Sequence, residues 1–207
     1  MEYNQGTLME DKLPDNPFLL FKEWINGPQI KDPDYYNAMV LSTVNSQLKA
    51  DSRVVLLKDF NEKGFVFFSN WESRKGLQIK QNPNVGLNFF WKDWERQVRV
   101  QGKIHRLDAA DEDDYFATRP FESQIGAWVS KQSEVLSSRE EMDNLFVNLS
   151  HANEGKTVNR PGYWGGFRVV PENIEFWQGR PNRLNDRFLF TAMECGLHPW
   201  KIERLSP

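Results

Sequence analysis

The sequence predicts a mainly β protein: an antiparallel barrel, closed or partly closed, into which several helices are inserted. Three observations predict this class. Segments rich in Val, Ile, Phe and Trp recur along the chain and are separated by short turns. The helical patterns fall mostly into one block, roughly residues 108–150. Strands and helices do not alternate, and no Gly-x-Gly-x-x-Gly follows a strand, so the pattern argues against a Rossmann domain.

The first part of the chain is predicted to contain one helix and three strands. Asn16 caps a helix that starts at Pro17 and ends at Gly27 and Pro28. Strands follow at 38–44, at 52–58 and, after a turn at 61–64, at 65–69. The second of these strands contains four consecutive apolar residues, 54–57, and is therefore expected to be buried.

The remaining elements continue this pattern. Ser73 caps a helix that runs to about Gln81, and strands are expected at 85–91 and 97–104. In the helical block, Asp108 caps a first helix and a second covers 122–129. Ser137 and Glu140 form a capping box for a third helix. The strands resume at 163–170, 174–177, 188–190 and 200–205.

Length, composition and charge limit the function classes. The 207 residues suit a single domain, which we place at 14–207 behind a flexible N-terminal arm, 1–13. Hydrophobic residues make up 39% and aromatic residues 14%, which predicts a packed core and not a disordered chain. The net charge of −3 gives no reason to expect a nucleic-acid or membrane partner, and no apolar run approaches the ~20 residues of a membrane span.

The cysteine and histidine content predicts a cytoplasmic protein without a metal site. Cys195 is the single cysteine, so no intramolecular disulfide can form, and the N-terminus has no secretory signal pattern. His105, His151 and His198 are scattered and lack the spacing of metal ligands.

Arginines are concentrated in a loop between two predicted strands near the C-terminus. Arg180, Arg183 and Arg187 fall between the strand ending at Trp177 and the strand starting at Phe188. Arginine presents a planar fork of donors that suits phosphates and aromatic faces. A solvated basic turn explains the same charges equally well, because surface charge is usual.

Two other basic groups occur next to predicted strands. Ser73, Arg74 and Lys75 open a helix, where free N–H groups and the helix dipole favour an anion such as phosphate. Arg53 and Lys58 flank the apolar run 54–57, and charges at the ends of a buried strand need partners. A bound anionic cofactor or a structural carboxylate would provide such a partner for Arg53 and Lys58. A Ser-Arg-Lys triplet by itself is often part of the solvated surface.

A more specific pattern is carried by eight ordered segments. Trp-Gln-Gly at 177–179 precedes Arg-Leu-Asn-Asp-Arg at 183–187. The others are Arg-Val-Val-Leu-Leu-Lys at 53–58, Ser-Arg-Lys at 73–75, Glu-Arg-Gln-Val at 95–98, Arg-Pro at 119–120, the block 123–133, and Tyr-Trp-Gly-Gly-Phe-Arg at 163–168. From about residue 14 to the C-terminus, the chain resembles the pyridoxine (pyridoxamine) 5′-phosphate oxidase family of split-barrel flavoproteins.

The resemblance implies an antiparallel split β-barrel homodimer with FMN at the subunit interface. It implies oxidation of pyridoxine 5′-phosphate or pyridoxamine 5′-phosphate to pyridoxal 5′-phosphate by hydride transfer from C4′ to flavin N5, with O₂ as electron acceptor. The implied FMN contacts are Arg53, Val54, Leu56, Lys58, Phe68, Ser69, Arg74, Lys75, Gln97, Gln132, Ser133, Trp177 and Arg187. The implied substrate contacts are Lys58, Tyr115, Arg119, Ser123, Arg183 and Asn185, of which Arg183 and Asn185 are the implied catalytic pair.

The chain departs from the family pattern at two places. Asn185 stands where the family has histidine, and asparagine keeps a donor and an acceptor but cannot titrate. In the N-terminal arm, Glu2 and Tyr3 remain of a family Arg-Arg-Glu-Tyr segment, and Glu10 and Asp11 lie where arginines are common. Two alternatives therefore stay open: a split-barrel flavin oxidase with another planar substrate, such as a phenazine precursor, or a weakly catalytic FMN- or pyridoxal-phosphate-binding carrier or sensor.

Overall fold

The computed structural model describes residues 3–27, 35–194 and 199–207, and within these ranges nine strands form one antiparallel sheet. The strands are β1 Ala38–Val44, β2 Ala50–Leu56, β3 Asp59–Asn61, β4 Gly64–Asn70, β5 Asn84–Trp91, β6 Arg96–Arg106, β7 Trp164–Gln178, β8 Asp186–Ala192 and β9 Trp200–Arg204. Cys195, His198 and Pro28, for which the sequence made predictions, lie outside the described residues.

The long strand β7 organises the sheet. The order is β2-β1-β5-β6-β7-β4-β3, and β8 and β9 continue from β7 along a separate path. On one side β7 pairs with β6 along its length, and on the other its first half pairs with β4 and its second half with β8. A bulge at Gln101 and Gly102 faces Pro171, where β7 passes from one partner to the other. A Cβ at Gly102 would overlap the Val170 carbonyl, so glycine is required there.

Aromatic side chains fill the space enclosed by the sheet. Phe21 of helix α1, Pro17–Ile25, is fully buried and packs edge-on against Phe60, Phe65 and Phe89. Edge-to-face ring pairs of this kind stabilise the fold beyond the contribution of buried apolar area. Helix α1 therefore packs against the core of the barrel. Asn16 caps this helix, as the sequence predicted: its side chain accepts a hydrogen bond from the Phe18 N–H at 3.0 Å.

The other helices are α2 Arg74–Gln81, α3 Ala109–Ala117, α4 Phe121–Val129 and α5 Arg139–Asn153. Ser73 caps α2, as predicted. Two predicted caps are wrong in detail: the Asp108 side chain makes no capping hydrogen bond, and α5 is capped by Ser138, which accepts from the Glu141 N–H, and not by Ser137. Helices α3 to α5 share a second apolar cluster: Phe116, Ile125, Val129, Val158 and Trp164.

The predicted mainly β class with one block of inserted helices is confirmed, but strand β2 corrects one expectation. It lies at the edge of the sheet, next to β1 alone, and none of its residues is buried. Val54 is 66% exposed and Leu56 is 36% exposed. Val54 and Leu56 therefore form an exposed apolar face, whereas Val55 packs against the core and Leu57, just after the strand, is buried in it.

The first part of the N-terminal segment lies against the C-terminal hairpin. The backbone N–H groups of Asn4 and Gln5 donate to Glu95 Oε2, and Leu8 N–H donates to Asp186 Oδ2. Leu8 is 7% exposed and belongs to the main core. No helix among the described residues has the length and apolarity needed to cross a membrane.

Candidate active site

Cationic and hydroxyl side chains meet at the N-terminus of helix α2. The buried Lys75 Nζ donates to Gln132 Oε1 at 2.7 Å and lies 3.1 Å from Ser73 Oγ. Ser69 Oγ donates to the same Gln132 oxygen at 3.4 Å, and the Arg74 N–H donates to Ser133 Oγ at 3.1 Å. Residues that are far apart in sequence thus converge on the positive end of one helix, which favours an anion.

Arg53 reaches the same region from strand β2. Its guanidinium pairs with Asp51 at 2.9 Å and donates to Thr43 Oγ1 at 2.6 Å and Gln78 Oε1 at 3.1 Å. The side chain is held by Asp51, Thr43 and Gln78, none of which the sequence singled out. Beside it is an open cleft of about 470 Å³, bordered by Asn45, Lys49, Ala50, Asp51, Arg74, Leu77, Gln78 and Gln81.

The electrostatics of this cluster show an excess of positive charge. Burial, and after it the nearby charge of Arg53, lowers the pKa of Lys75 from 10.5 to about 8. Both causes disfavour the charged ammonium. Among the described residues, Asp51 is the one carboxylate whose charge acts on Lys75 in the opposite direction. A bound phosphate would relieve this repulsion, so the cluster suits the phosphate of FMN.

A stack of rings lies next to this cluster, one residue along β4. Phe68 stacks on Tyr115 of α3, with ring centroids 3.8 Å apart, and on Trp164 at 5.3 Å. The Arg119 guanidinium lies 4.6 Å from the Trp164 ring centroid. The stack therefore aligns Tyr115 and Arg119, two of the substrate contacts that the family resemblance implies.

Arg119 has a donor without a partner. Its Nη1 atom is buried and makes no hydrogen bond with any described residue. Burial lowers the pKa of Arg119 and raises the pKa of the Tyr115 hydroxyl. A buried guanidinium donor without an acceptor is costly, so this position suits an anionic ligand such as a phosphate ester.

Three other predicted residues lie side by side on neighbouring strands. Gln97 of β6 is paired with Trp177 of β7, which is paired with Arg187 of β8. Arg187 is held by Glu175, whose Oε1 is 2.9 Å from both Nε and Nη2. Among the hydrogen bonds and ring contacts of the described residues, none joins this row to the α2 cluster within one chain.

The loop between β7 and β8 carries Arg183 and Asn185. Arg183 and Asn182 have positive φ angles of 63° and 58°, and the Arg183 side chain is exposed. Asn185 Oδ1 accepts from the Arg180 N–H at 3.0 Å, and Asn185 Nδ2 donates to the Arg183 carbonyl at 3.1 Å. The carboxamide of Asn185 therefore organises the loop that presents Arg183.

The remaining predicted residues are exposed or half-buried. Lys58 follows β2 and its side chain is exposed, while Ser123 on α4 is half-buried. Val54 and Leu56 form the exposed apolar face of β2. Tyr3 of the arm stacks edge-on against Trp177, with ring centroids 5.6 Å apart. The described residues contain no group of three His, Cys, Asp or Glu side chains that could hold a metal.

Sequence reasoning missed several residues that shape the site. Trp164 lies beneath Arg119, and Glu112 and Arg160 form a buried ion pair behind it. Trp164 occurs in the family-like segment 163–168, which was noted without a role for the ring. Glu112 and Arg160 are 48 positions apart, and nothing in the local sequence links them.

Comparison with known proteins bears on this site and fold. The profile described as pyridoxamine 5′-phosphate oxidase matches residues 29–144, and the pyridoxine 5′-phosphate oxidase C-terminal dimerisation region matches residues 164–207. Two relatives named pyridoxine/pyridoxamine 5′-phosphate oxidase, from Gloeothece citriformis and Nostoc sp., are 47% and 44% identical. The alignments cover 99% and 100% of this chain and 95% of each relative.

Two solved structures are similar in fold. PhzG from Burkholderia lata, in complex with tetrahydrophenazine-1-carboxylic acid, superposes with a TM-score of 0.88 at 25% identity and covers 97% of this chain and 98% of its own. A pyridoxamine 5′-phosphate oxidase-related, FMN-binding protein from Nostoc punctiforme superposes with a TM-score of 0.70 at 13% identity, over 94% and 98% of the two chains. These structures confirm the split-barrel fold, and the family profiles and the relatives confirm the enzyme class and FMN as cofactor. The chain belongs to the pyridoxamine 5′-phosphate oxidase family, a family of FMN-dependent oxidoreductases.

Proposed function

We propose that this enzyme oxidises pyridoxine 5′-phosphate and pyridoxamine 5′-phosphate to pyridoxal 5′-phosphate with O₂ as electron acceptor. The observation that carries the proposal is the half-buried Arg119, whose Nη1 atom is buried without a hydrogen-bond partner and whose guanidinium lies over Trp164. A phosphorylated substrate supplies the anion that this position lacks. Lys58 and Ser123 complete the proposed phosphate contacts.

The α2 cluster is proposed to hold the phosphate of FMN. Arg53, Arg74 and Lys75 provide the charge, and Ser69, Gln132 and Ser133 provide hydrogen-bonding atoms in the same network. Gln97, Trp177 and Arg187 are proposed to contact the ring system, together with the apolar face of Val54 and Leu56 and with Phe68.

The proposed chemistry divides between cofactor and protein. When bound, FMN supplies a two-electron acceptor for the hydride that leaves substrate C4′, and O₂ then takes these electrons to give H₂O₂. The protein binds the phosphate through Arg119 and Tyr115 and presents the planar cation of Arg183 to the pyridine ring. The alcohol substrate gives the aldehyde directly, whereas the amine gives an imine that water converts to aldehyde and ammonia.

We further propose that the working unit is a cytoplasmic homodimer with the single domain of residues 14–207 in each subunit. The match of residues 164–207 to a dimerisation region supports the dimer. The separation of the α2 cluster from the row Gln97, Trp177 and Arg187 within one chain also supports it, because a second subunit can bring the two groups together. The single cysteine supports a reducing compartment.

A second candidate function is oxidation of another planar substrate. The TM-score of 0.88 to PhzG, whose structure contains a tetrahydrophenazine carboxylic acid, favours it. The set Lys58, Tyr115, Arg119 and Ser123 argues against it, because two cations, a phenol and a hydroxyl suit a dianionic phosphate ester better than a carboxylate with a single charge. The third candidate, a carrier or sensor with weak catalysis, rests on Asn185 and on the departures in the arm.

Steady-state turnover separates these candidates. The enzyme loaded with FMN is assayed for H₂O₂ with pyridoxine 5′-phosphate, pyridoxamine 5′-phosphate and the unphosphorylated pyridoxine. The proposal predicts turnover of both phosphate esters and a kcat/KM at least about 100-fold lower for pyridoxine, since the charged contacts are lost. Equal kcat/KM values with and without phosphate would refute the phosphate site, and an absence of turnover would favour the carrier.

A further inference from the structure

A buried ion pair lies behind the proposed phosphate-binding residues. Glu112 of α3 is 1% exposed, and its Oε2 lies 3.1 Å from Arg160 Nη1 and 3.6 Å from Arg106 Nη2. Its Oε1 accepts a hydrogen bond from the Gly166 N–H at 3.1 Å. A carboxylate is buried at low cost only when it is paired and hydrogen-bonded, and Glu112 satisfies both conditions.

The start of strand β7 is shaped to receive this carboxylate. A Cβ atom at Gly165 would overlap the Glu112 carboxyl group, so this position of the strand requires glycine. The Leu107 N–H also donates to the Gly166 carbonyl at 3.1 Å, just before α3 begins. Helix α3 is thus fixed to β7 both by its leading loop and by a side chain from its first turn.

Arg160 extends the connection to the ring under Arg119. Its Nη1 donates to the Trp164 carbonyl at 2.6 Å, and its Nε donates to Asp113 at 2.7 Å. The Arg160 side chain is 11% exposed, whereas Asp113 is 62% exposed. One guanidinium therefore joins α3, which carries Tyr115, to Trp164, over which Arg119 lies.

We propose that Glu112 and Arg160 are positioning residues for the substrate phosphate. They fix the distance between α3 and the start of β7, and so keep Tyr115 and Arg119 aligned on the stack formed by Phe68 and Trp164. Neither residue touches the substrate. The inference rests on the proposed function, because it assumes that Tyr115 and Arg119 bind the phosphate group.

A merely structural role for the pair leads to a different expectation. Loss of a structural ion pair lowers stability and weakens all ligands to the same extent. Loss of a positioning pair weakens phosphorylated ligands selectively, because only their phosphate group depends on Tyr115 and Arg119. Pyridoxal 5′-phosphate and pyridoxal, which lacks the phosphate group, serve as the two probes.

The test compares three variants of the FMN-loaded enzyme with the wild type by calorimetric titration of each probe. Glu112→Gln removes the buried charge with little change of shape, and Arg160→Lys keeps the charge but loses the planar fork. Asp113→Asn is the matched control, since it removes the exposed carboxylate that is paired with the same arginine. Melting temperatures and FMN content are recorded for each protein.

We expect Glu112→Gln to raise the Kd of pyridoxal 5′-phosphate about 10-fold, because the aligned state of α3 becomes less populated. In the same variant the Kd of pyridoxal should change by less than about twofold. Asp113→Asn should change neither Kd by more than about twofold. Arg160→Lys should raise the Kd of pyridoxal 5′-phosphate by an amount between those of the other two variants. If Glu112→Gln does not fold, Arg160→Lys and Asp113→Asn carry the comparison.

Two outcomes would overturn the inference. An equal loss of affinity for both probes, or an unchanged Kd of pyridoxal 5′-phosphate with a lowered melting temperature, assigns the pair a structural role only. Wild-type enzyme that binds both probes equally would overturn the proposed function together with this inference, so the two failures are distinguishable.

Discussion

Asn185 stands where the family resemblance of the sequence implies a histidine. Its carboxamide accepts from the Arg180 N–H and donates to the Arg183 carbonyl, so both of its polar atoms serve the loop. A histidine at this position can make comparable bonds and can also change its charge near neutral pH. Asn185 therefore organises the loop without providing a group that titrates at this position.

Asn185→His is expected to raise kcat for pyridoxine 5′-phosphate. It should also introduce a pH dependence of kcat with an inflection at about pH 6–7, the range in which histidine titrates. The measurement is steady-state kinetics from pH 5.5 to 9, with Asn185→Gln as the non-titrating control. A variant with unchanged kcat and a flat profile would contradict a catalytic role for this position.

Lys75 is the second residue with a specific consequence. Burial lowers its pKa to about 8, whereas in the unfolded chain it stays near the ordinary value of 10.5. The cost of the buried charge is present in full below pH 8 and disappears as pH rises to 10.5, so the FMN-free protein gains stability over this range. A bound phosphate favours the charged form and raises the pKa again.

FMN affinity is therefore expected to fall as pH rises above about 8, by up to tenfold per pH unit, because binding must then take up a proton. The measurement is the Kd of FMN for the cofactor-free protein, from flavin fluorescence at pH 7 to 10. In Lys75→Met the affinity should be lower throughout and the inflection near pH 8 absent. The same inflection in this variant would assign the titration to another group.

At the scale of elements, helix α5 gives a clear test of local geometry. The sequence predicted Ser137 as its cap, but Ser138 accepts from the Glu141 N–H at 3.1 Å, while Ser137 bonds to the Glu141 side chain. Ser138→Ala should destabilise the helix by about 1 kcal/mol, and Ser137→Ala by less than about 0.5 kcal/mol. Hydrogen exchange of the α5 amides measures both, and a larger effect at Ser137 would contradict the assignment.

Much of this element structure follows from local sequence signals. The predicted range 38–44 of β1 and the caps of α1 and α2 agree with the structure, because alternating burial and capping residues act over a few positions. The continuity of β7 was not predicted, since Pro171 signals a break. The bulge at Gly102 of β6, which is far from Pro171 in sequence, accommodates this proline within the strand.

The site was predictable in part for the same physical reason. Arg53, Arg74 and Lys75 were recognisable from motifs, and the structure brings them together. The apolar face of β2 was read as core, because sequence alone does not distinguish burial in a core from exposure to a ligand or a second subunit. The pair of Glu112 and Arg160 depends on the packing of α3 against β7 and carries no local signal.

At the scale of the whole molecule, Arg204 of β9 holds the N-terminal segment to the hairpin. It pairs with Glu10 at 2.5 Å and Asp186 at 2.8 Å, and it donates to the Leu8 carbonyl at 3.1 Å. The hydrogen bond from Arg204 lowers the pKa of Glu10 to about 2, so this pair stays ionised at physiological pH. Tyr3, in the same N-terminal segment, lies against Trp177.

Arg204→Ala is expected to free the segment 3–13 and to raise KM for the substrate, since the contact of Tyr3 with Trp177 is weakened. Hydrogen exchange of residues 3–13 and steady-state kinetics are the measurements. Lys201→Ala is the matched control on the same strand, because Lys201 pairs with Glu203 alone among the described residues. Equal exchange in both variants would show that Arg204 does not hold the arm.

We propose that this enzyme oxidises a phosphorylated pyridine at its C4′ carbon, and one experiment tests this directly. The FMN-loaded enzyme is mixed anaerobically with pyridoxine 5′-phosphate, and the absorbance of oxidised flavin is followed. We expect rapid bleaching, formation of pyridoxal 5′-phosphate in equal amount, and recovery of the absorbance when air is admitted. Flavin that stays oxidised with both pyridoxine 5′-phosphate and pyridoxamine 5′-phosphate would refute the proposed oxidation and leave another substrate or a binding function.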